Sequence, residues 1–84
     1  MKYALKIIPK AQKDLDAISG NNFDFIKKKI LLLSNKPRPF GSKKLTNDDG
    51  YRIRVGNFRI LYRVNDSAKA VIIYRIKHRR EAYR

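Results

Sequence analysis

The sequence contains no cysteine, which excludes a disulfide framework, a thiolate zinc site and a cysteine nucleophile. Histidine occurs once, as His78, and a single imidazole cannot build a metal centre by itself. Long apolar runs are absent as well. The longest, Ala70 to Tyr74, is five residues, against the roughly 18–20 needed to cross a bilayer. Lys6 breaks the N-terminal apolar stretch before a signal-peptide core forms. The expectation is a cytoplasmic protein that needs no membrane, no metal and no cofactor. Glycine-rich phosphate loops, nucleophile elbows and metalloprotease helix motifs are also missing. Acidic residues are scarce, and the adjacent Asp48 and Asp49 before Gly50 read as turn chemistry, not as a catalytic carboxylate pair.

What is present is positive charge. Twenty-one Lys+Arg face seven Asp+Glu, a formal net charge of +14 on 84 residues. With 43% hydrophobic residues the chain is not a disordered polycation, so the charge points to a polyanionic partner of a folded domain. A chain this short supports one domain, residues 1–84. The basic residues are segregated. Arg38 alone among the arginines precedes residue 50, and lysine dominates the first half. Arginine's planar fork binds phosphate bidentately whereas lysine is a hydrated point charge, so the skew suggests a general field in front and a specific phosphate site behind.

Met1 to Ile8 alternates as a strand, and Pro9 ends it. Ala11, Leu15 and Ile18 fall at i, i+4 and i+7, which predicts a helix from Pro9 to about Ser19 with Gly20 as its stop. Asn21 or Asn22 is the candidate cap of a second helix, whose stripe Phe23, Ile26, Ile30 and Leu33 runs toward Ser34. Lys27 to Lys29 read as its solvated face, with contact to RNA as the lesser alternative. Pro37, Pro39, Gly41 and Gly50 mark Lys36 to Gly50 as a connection, anchored by Phe40 and Leu45. Then come two alternating runs, Tyr51 to Val55 and Phe58 to Asn65, joined by Gly56-Asn57: a β-hairpin. Ala70 to Ile76 follows as a near-continuous apolar strand suited to the sheet interior, and Lys77 to Arg84 is a polar tail. The order β-α-α-β-β-β predicts an α+β fold, with two N-terminal helices on a mostly antiparallel, twisted, four-stranded sheet.

The hairpin carries the first functional signal. With Gly56-Asn57 as the loop, Arg54 lies opposite Arg59 and Arg52 opposite Leu61, on the face away from Tyr51, Ile53 and Val55. Like charges directly across a strand pair are destabilising by up to roughly 1 kcal/mol. A bound polyanion removes that repulsion, so a local rule is broken where a site would explain it. The competing reading is a solvated, salt-screened face that only keeps the sheet soluble.

The tail carries the second. His78, Arg79, Arg80 and Tyr83 follow the last apolar strand, which delivers an imidazole, guanidiniums and a phenol to one end of the sheet. RNA cleavage without a metal needs a base for the 2′-OH, positive charge at the phosphorane and a proton for the leaving 5′-oxygen. These residue types suit those tasks, and they equally suit simple nucleic-acid binding.

The stretch Tyr51 to Val64, followed by Val71 to Ile76 and the ending His78-Arg79-Arg80-Glu81-Ala82-Tyr83-Arg84, resembles the toxins of RelE/ParE-type toxin–antitoxin modules. Pro9-Lys10-Ala11 and Gly41-Ser42-Lys43-Lys44-Leu45 are similar more loosely. The resemblance implies the RelE-like microbial ribonuclease fold and, in the RelE branch, an endoribonuclease that cuts mRNA in the ribosomal A site by metal-independent 2′-OH attack. It assigns Arg54 and Arg59 to phosphate and transition-state contacts, Arg79 to the phosphorane and leaving group, and Tyr83 to the 2′-OH. Arg52, Arg63, Arg80, Lys43 and Lys44 are implied as nucleic-acid-binding residues. Arg52 stands where some relatives have a lysine, and an arginine there can bind but cannot act as a base. His78 is a candidate acid or base. The implied partners are a cognate acidic antitoxin, the ribosome and mRNA, and the free toxin is expected to be monomeric or weakly self-associating. The ParE branch shares the fold but inhibits DNA gyrase, and a basic RNA- or ribosome-binding protein without catalysis is the third reading.

Overall fold

The computed structural model describes residues 2–46 and 50–78. Five strands and two helices follow in the order β1 (Ala4–Ile7), α1 (Pro9–Asp16), α2 (Gly20–Asn35), β2 (Lys43–Lys44), β3 (Tyr51–Val55), β4 (Phe58–Asn65) and β5 (Ala70–His78). The spatial order of the sheet is β1-β5-β4-β3-β2. Only β1 with β5 is parallel, and the remaining pairs are antiparallel. The α+β class and the helix-on-sheet arrangement are those expected.

Alternation decides which side of each strand is buried. Ile53, Ile60, Tyr62, Val71, Ile73 and Ile76 meet Ala11 and Leu15 of α1 and Ile26, Ile30 and Leu33 of α2 in one core. Fully burying an aliphatic side chain of this size contributes roughly 1.5–3 kcal/mol, and this cluster is the main stabilising mass of so small a domain. No described helix is long and apolar enough to cross a membrane.

The structure departs from the sequence reading in six places. The strand count is five, because Lys43–Lys44 pairs with Tyr51 and Arg52 inside what read as a connection; a two-residue strand has no periodicity to detect. First-strand pairing covers only Ala4–Ile7. α1 stops at Asp16, three residues before Ser19, and Gly20 opens α2 at φ +65° with Ser19 extended before it. The glycine is therefore the left-handed first residue of the second helix and not the stop of the first, and Asn21 and Asn22 lie inside α2. Lys77 and His78 belong to β5, not to the tail. Phe40 is no anchor, being fully exposed.

Two local features set the shape of β5. Tyr74 is an extra residue opposite the Leu61/Tyr62 step, where the register shifts from Leu61↔Arg75 to Tyr62↔Ile73. Such a bulge changes which residues face each side beyond it. Beyond the end of β1, the Asp14 carboxylate accepts from the Ile76 backbone N–H at 3.0 Å and from Arg75 Nε at 2.9 Å, so α1 covers a strand edge that β1 is too short to reach.

Candidate nucleic-acid interface

The hairpin forms as its sequence dictates. Gly56 takes φ +58° at the first loop position, the backbone of a type II′ turn, whose twist matches the flanking strands. The register is Val55↔Phe58, Arg54↔Arg59, Ile53↔Ile60 and Arg52↔Leu61. Arg54 and Arg59 thus face each other directly on the side away from the helices, and Lys77 pairs with Arg59 on that same side.

Next to them lies an open groove of about 300 Å³, lined by Lys29 of α2, Phe40 and Gly41 of the α2–β2 connection, Lys43 of β2, and Arg52, Ile53 and Arg54 of β3. It exists because β2 pairs only with Tyr51 and Arg52, so among the described residues no strand borders the outer edge of β3, the edge away from β4, from Ile53 onward. Four cations from three segments converge there, and no carboxylate is among the described lining residues. Arg54 also borders a small hollow with Gly56, Asn57, Phe58 and Arg59, and so links the groove to the hairpin tip.

The connection that forms one wall of the groove is held from both ends. Tyr62 Oη donates to the Pro37 carbonyl at 2.8 Å, Arg38 Nε donates to Tyr51 Oη at 2.8 Å, and an Arg38 terminal nitrogen pairs with Asp66 at 2.8 Å. Tyr3 Oη donates to the same carboxylate at 2.7 Å. Hydrogen bonds from Arg38 and Tyr3 hold the Asp66 carboxyl down at about 2, while the bond to Asp66 raises the Tyr3 phenol above its ordinary value. Tyr51 and Tyr62 stack at 5.7 Å with Arg38 over the Tyr51 ring at 5.2 Å. At the other end Leu45 N–H donates to the Gly50 carbonyl at 2.9 Å. Gly50 must be a glycine for a packing reason, since a Cβ there would lie 2.8 Å from Tyr74 Oη and 3.2 Å from the Tyr62 carbonyl oxygen.

The predicted site residues fall into groups. Arg52, Arg54, Arg59 and Lys43 are brought together. Arg63 shares the outer face farther along β4, with its guanidinium 4.9 Å from the Tyr74 ring centre. Lys44 lies opposite Tyr51, on the helix side. His78 pairs with Phe58 and meets its ring edge-on at 5.0 Å and 89°, in a cleft with Asp14, Ile18 and Asn22, on the helix side of the sheet. Arg79, Arg80 and Tyr83 lie outside the described residues, as do Asp48 and Asp49. Sequence reasoning missed Lys29, taken as part of a solvated triplet, and Phe40. Only the packing of α2 beside β3 brings Lys29 to the groove.

A two-helix, five-stranded domain with an apolar core under the helices and basic side chains gathered on the outer face and the β3 edge defines a small basic protein of the α+β class. Residues 5–83 match the family model described as the ParE toxin of the type II toxin–antitoxin system parDE. A Methanocaldococcus jannaschii protein assigned the toxin name RelE1 is 34% identical over 88 residues, with 100% of this chain and 98% of that protein covered. The toxin–antitoxin complex RelBE2 of Mycobacterium tuberculosis contains a chain that superposes with a TM-score of 0.83 at 26% identity, covering 94% of this chain and 100% of that one. The archaeal RelE–RelB complex of Pyrococcus horikoshii gives 0.80 at 28%, with 94% and 97% covered. The chain belongs to the RelE/ParE family and is a toxin of a type II toxin–antitoxin system.

Proposed function

We propose that this toxin acts in the RelE manner, as an endoribonuclease that cuts mRNA in the ribosomal A site. The observation that carries the reading is the convergence of Arg52, Arg54, Lys43 and Lys29 on one groove, with Arg59 paired to Arg54 beside it. The register supports the same reading, because β5 ends at His78 opposite Phe58, one residue from Arg59. The last described residue of β5 therefore sits at the arginine end of the sheet, and in sequence Arg79 follows it directly and Tyr83 comes shortly after.

In this mechanism Arg54 and Arg59 bind the scissile phosphate by charge-assisted hydrogen bonds, which strengthen as the phosphorane gathers negative charge. Tyr83 orients or deprotonates the 2′-OH, which attacks the adjacent phosphorus. The P–O5′ bond breaks, a 2′,3′-cyclic phosphate is left, and the departing 5′-oxygen takes its proton from solvent water. Arg79 stabilises the phosphorane and the leaving oxygen. Arg52 and Lys43 hold flanking phosphates. His78, packed on Phe58 on the helix side, is assigned to packing in place of proton transfer. The partner is an acidic antitoxin, by analogy with the complexes formed by the relatives and by charge complementarity to a +14 chain.

The matched family's ParE description supports the second reading, inhibition of DNA gyrase. Purified toxin added to translating ribosomes and, separately, to a gyrase supercoiling reaction decides between them. Codon-sized mRNA cuts with gyrase unaffected are expected, and Arg79→Ala and Tyr83→Phe should each lose the cuts while staying folded. Blocked supercoiling with intact mRNA would overturn the proposal.

A further inference from the structure

Phe40 is the most solvent-exposed large apolar side chain among the described residues at 105% relative exposure, against 56% for Phe25 and 55% for Leu31. Its position is built. Ser42 N–H donates to the Pro39 carbonyl at 3.0 Å, closing a four-residue turn with Phe40 at its first corner. Gly41 at the second corner takes φ +97°, the arrangement of a type II turn, which demands positive φ there. Arg38, one residue before the turn, is tied to Tyr51 and Asp66, and Lys43, one residue after it, is paired to Arg52. A bare phenyl ring is thus held in water at the rim of a groove whose charged walls are Lys29, Lys43, Arg52 and Arg54.

We infer that Phe40 is a nucleobase-stacking platform, taking the face of one unpaired base while the four cations hold the phosphates beside it. The inference rests on the RNA reading of the groove and deepens it. Aromatic rings beside a cationic track are what single-stranded nucleic acid requires, since every base has a π-face and stacking needs only one exposed face of the ring. A protein partner anchored on Phe40 would need a contiguous apolar surface around it, and Ile53 is the single other large apolar residue described in this lining.

The test compares two fluorescent six-nucleotide strands, one single-stranded RNA and one with the same ribose-phosphate backbone lacking bases, both 2′-O-methylated so that neither is cut. Binding by anisotropy at low salt should favour the base-bearing strand by about tenfold for the intact toxin. Phe40→Ala should erase that preference while leaving the base-free strand bound as before, and Phe40→Trp should restore it. Arg52→Gln should weaken both strands alike. A Phe40→Ala toxin that keeps the base preference, or loses both strands equally, overturns the inference. So does a Phe40→Ala toxin that binds RNA normally but no longer holds its antitoxin, which would make the ring a protein anchor. If Arg52→Gln and Arg54→Gln together leave both strands bound as tightly as before, the failure belongs to the RNA reading of the groove itself.

Discussion

On β3 and β4 the two faces of one sheet differ completely. Ile53, Ile60 and Tyr62 turn toward the helices and are at most 2% exposed, while Arg52, Arg54, Arg59 and Arg63 turn away from them. Neighbouring residues thus belong to different surroundings, Ile60 to the core and Arg59 to the basic outer face. The difference shows how a domain this small carries a dense charge without losing its fold. The repulsion between like charges stays on a face that contributes little packing, and the apolar face bears the stability.

Breaking the apolar face has the largest effect. Ile60→Ala, at a fully buried position, is expected to cost about 2–5 kcal/mol and to lower the melting temperature by more than about 10 °C. Growth arrest on expression should weaken because less folded toxin is present, and thermal melts followed by circular dichroism check the cause.

One residue away the outcome reverses. Arg59→Gln should change stability by less than about 1 kcal/mol, since the half-buried side chain lies outside the core, yet growth arrest should be strongly reduced. The slope of log affinity for RNA against log salt should fall by about one for each phosphate contact removed. A stable, fully toxic Arg59→Gln protein would dissolve the contrast between the faces.

A smaller effect is expected at the tether of the groove wall. The Asp66 carboxyl titrates at about 2 in the folded protein, below the ordinary value near 4. Its contribution is therefore fully present above about pH 4 and is lost as pH falls toward 2. The raised Tyr3 phenol works at the other end, losing its contribution only as pH rises beyond 10. Asp66→Asn should flatten the acid limb of a stability-against-pH curve and leave the neutral plateau nearly unchanged, because the pair is exposed.

The finest test uses adjacent lysines. Lys43 shares its side of the sheet with Arg52, and Lys44 shares the other with Tyr51. Lys43→Gln should weaken RNA binding and reduce its salt dependence by about one contact, whereas Lys44→Gln should leave the salt slope unchanged. Equal slopes would mean that the lysines act only through long-range charge.

How much of this was legible varies by residue. The Arg54–Arg59 pair could be placed by counting outward from Gly56-Asn57, because a two-residue loop sets hairpin register. His78 could not be placed that way. Strict alternation from Ile73 would carry it to the arginine side, but the bulge at Tyr74 inserts one residue and turns it toward Phe58. Nothing in the local pattern of β5 announces that insertion.

By itself the sequence determined the helix-on-sheet class, the hairpin and the two-faced division of its residues, because these follow from periodicities of 3.6 and 2 acting over a few neighbouring positions. Tertiary structure alone decided that Lys43–Lys44 becomes a strand, that Lys29 reaches the groove and that Phe40 stands in solvent instead of packing. Each of these depends on contacts between segments distant in sequence or on a turn held by such contacts, and no local pattern of residue types encodes them.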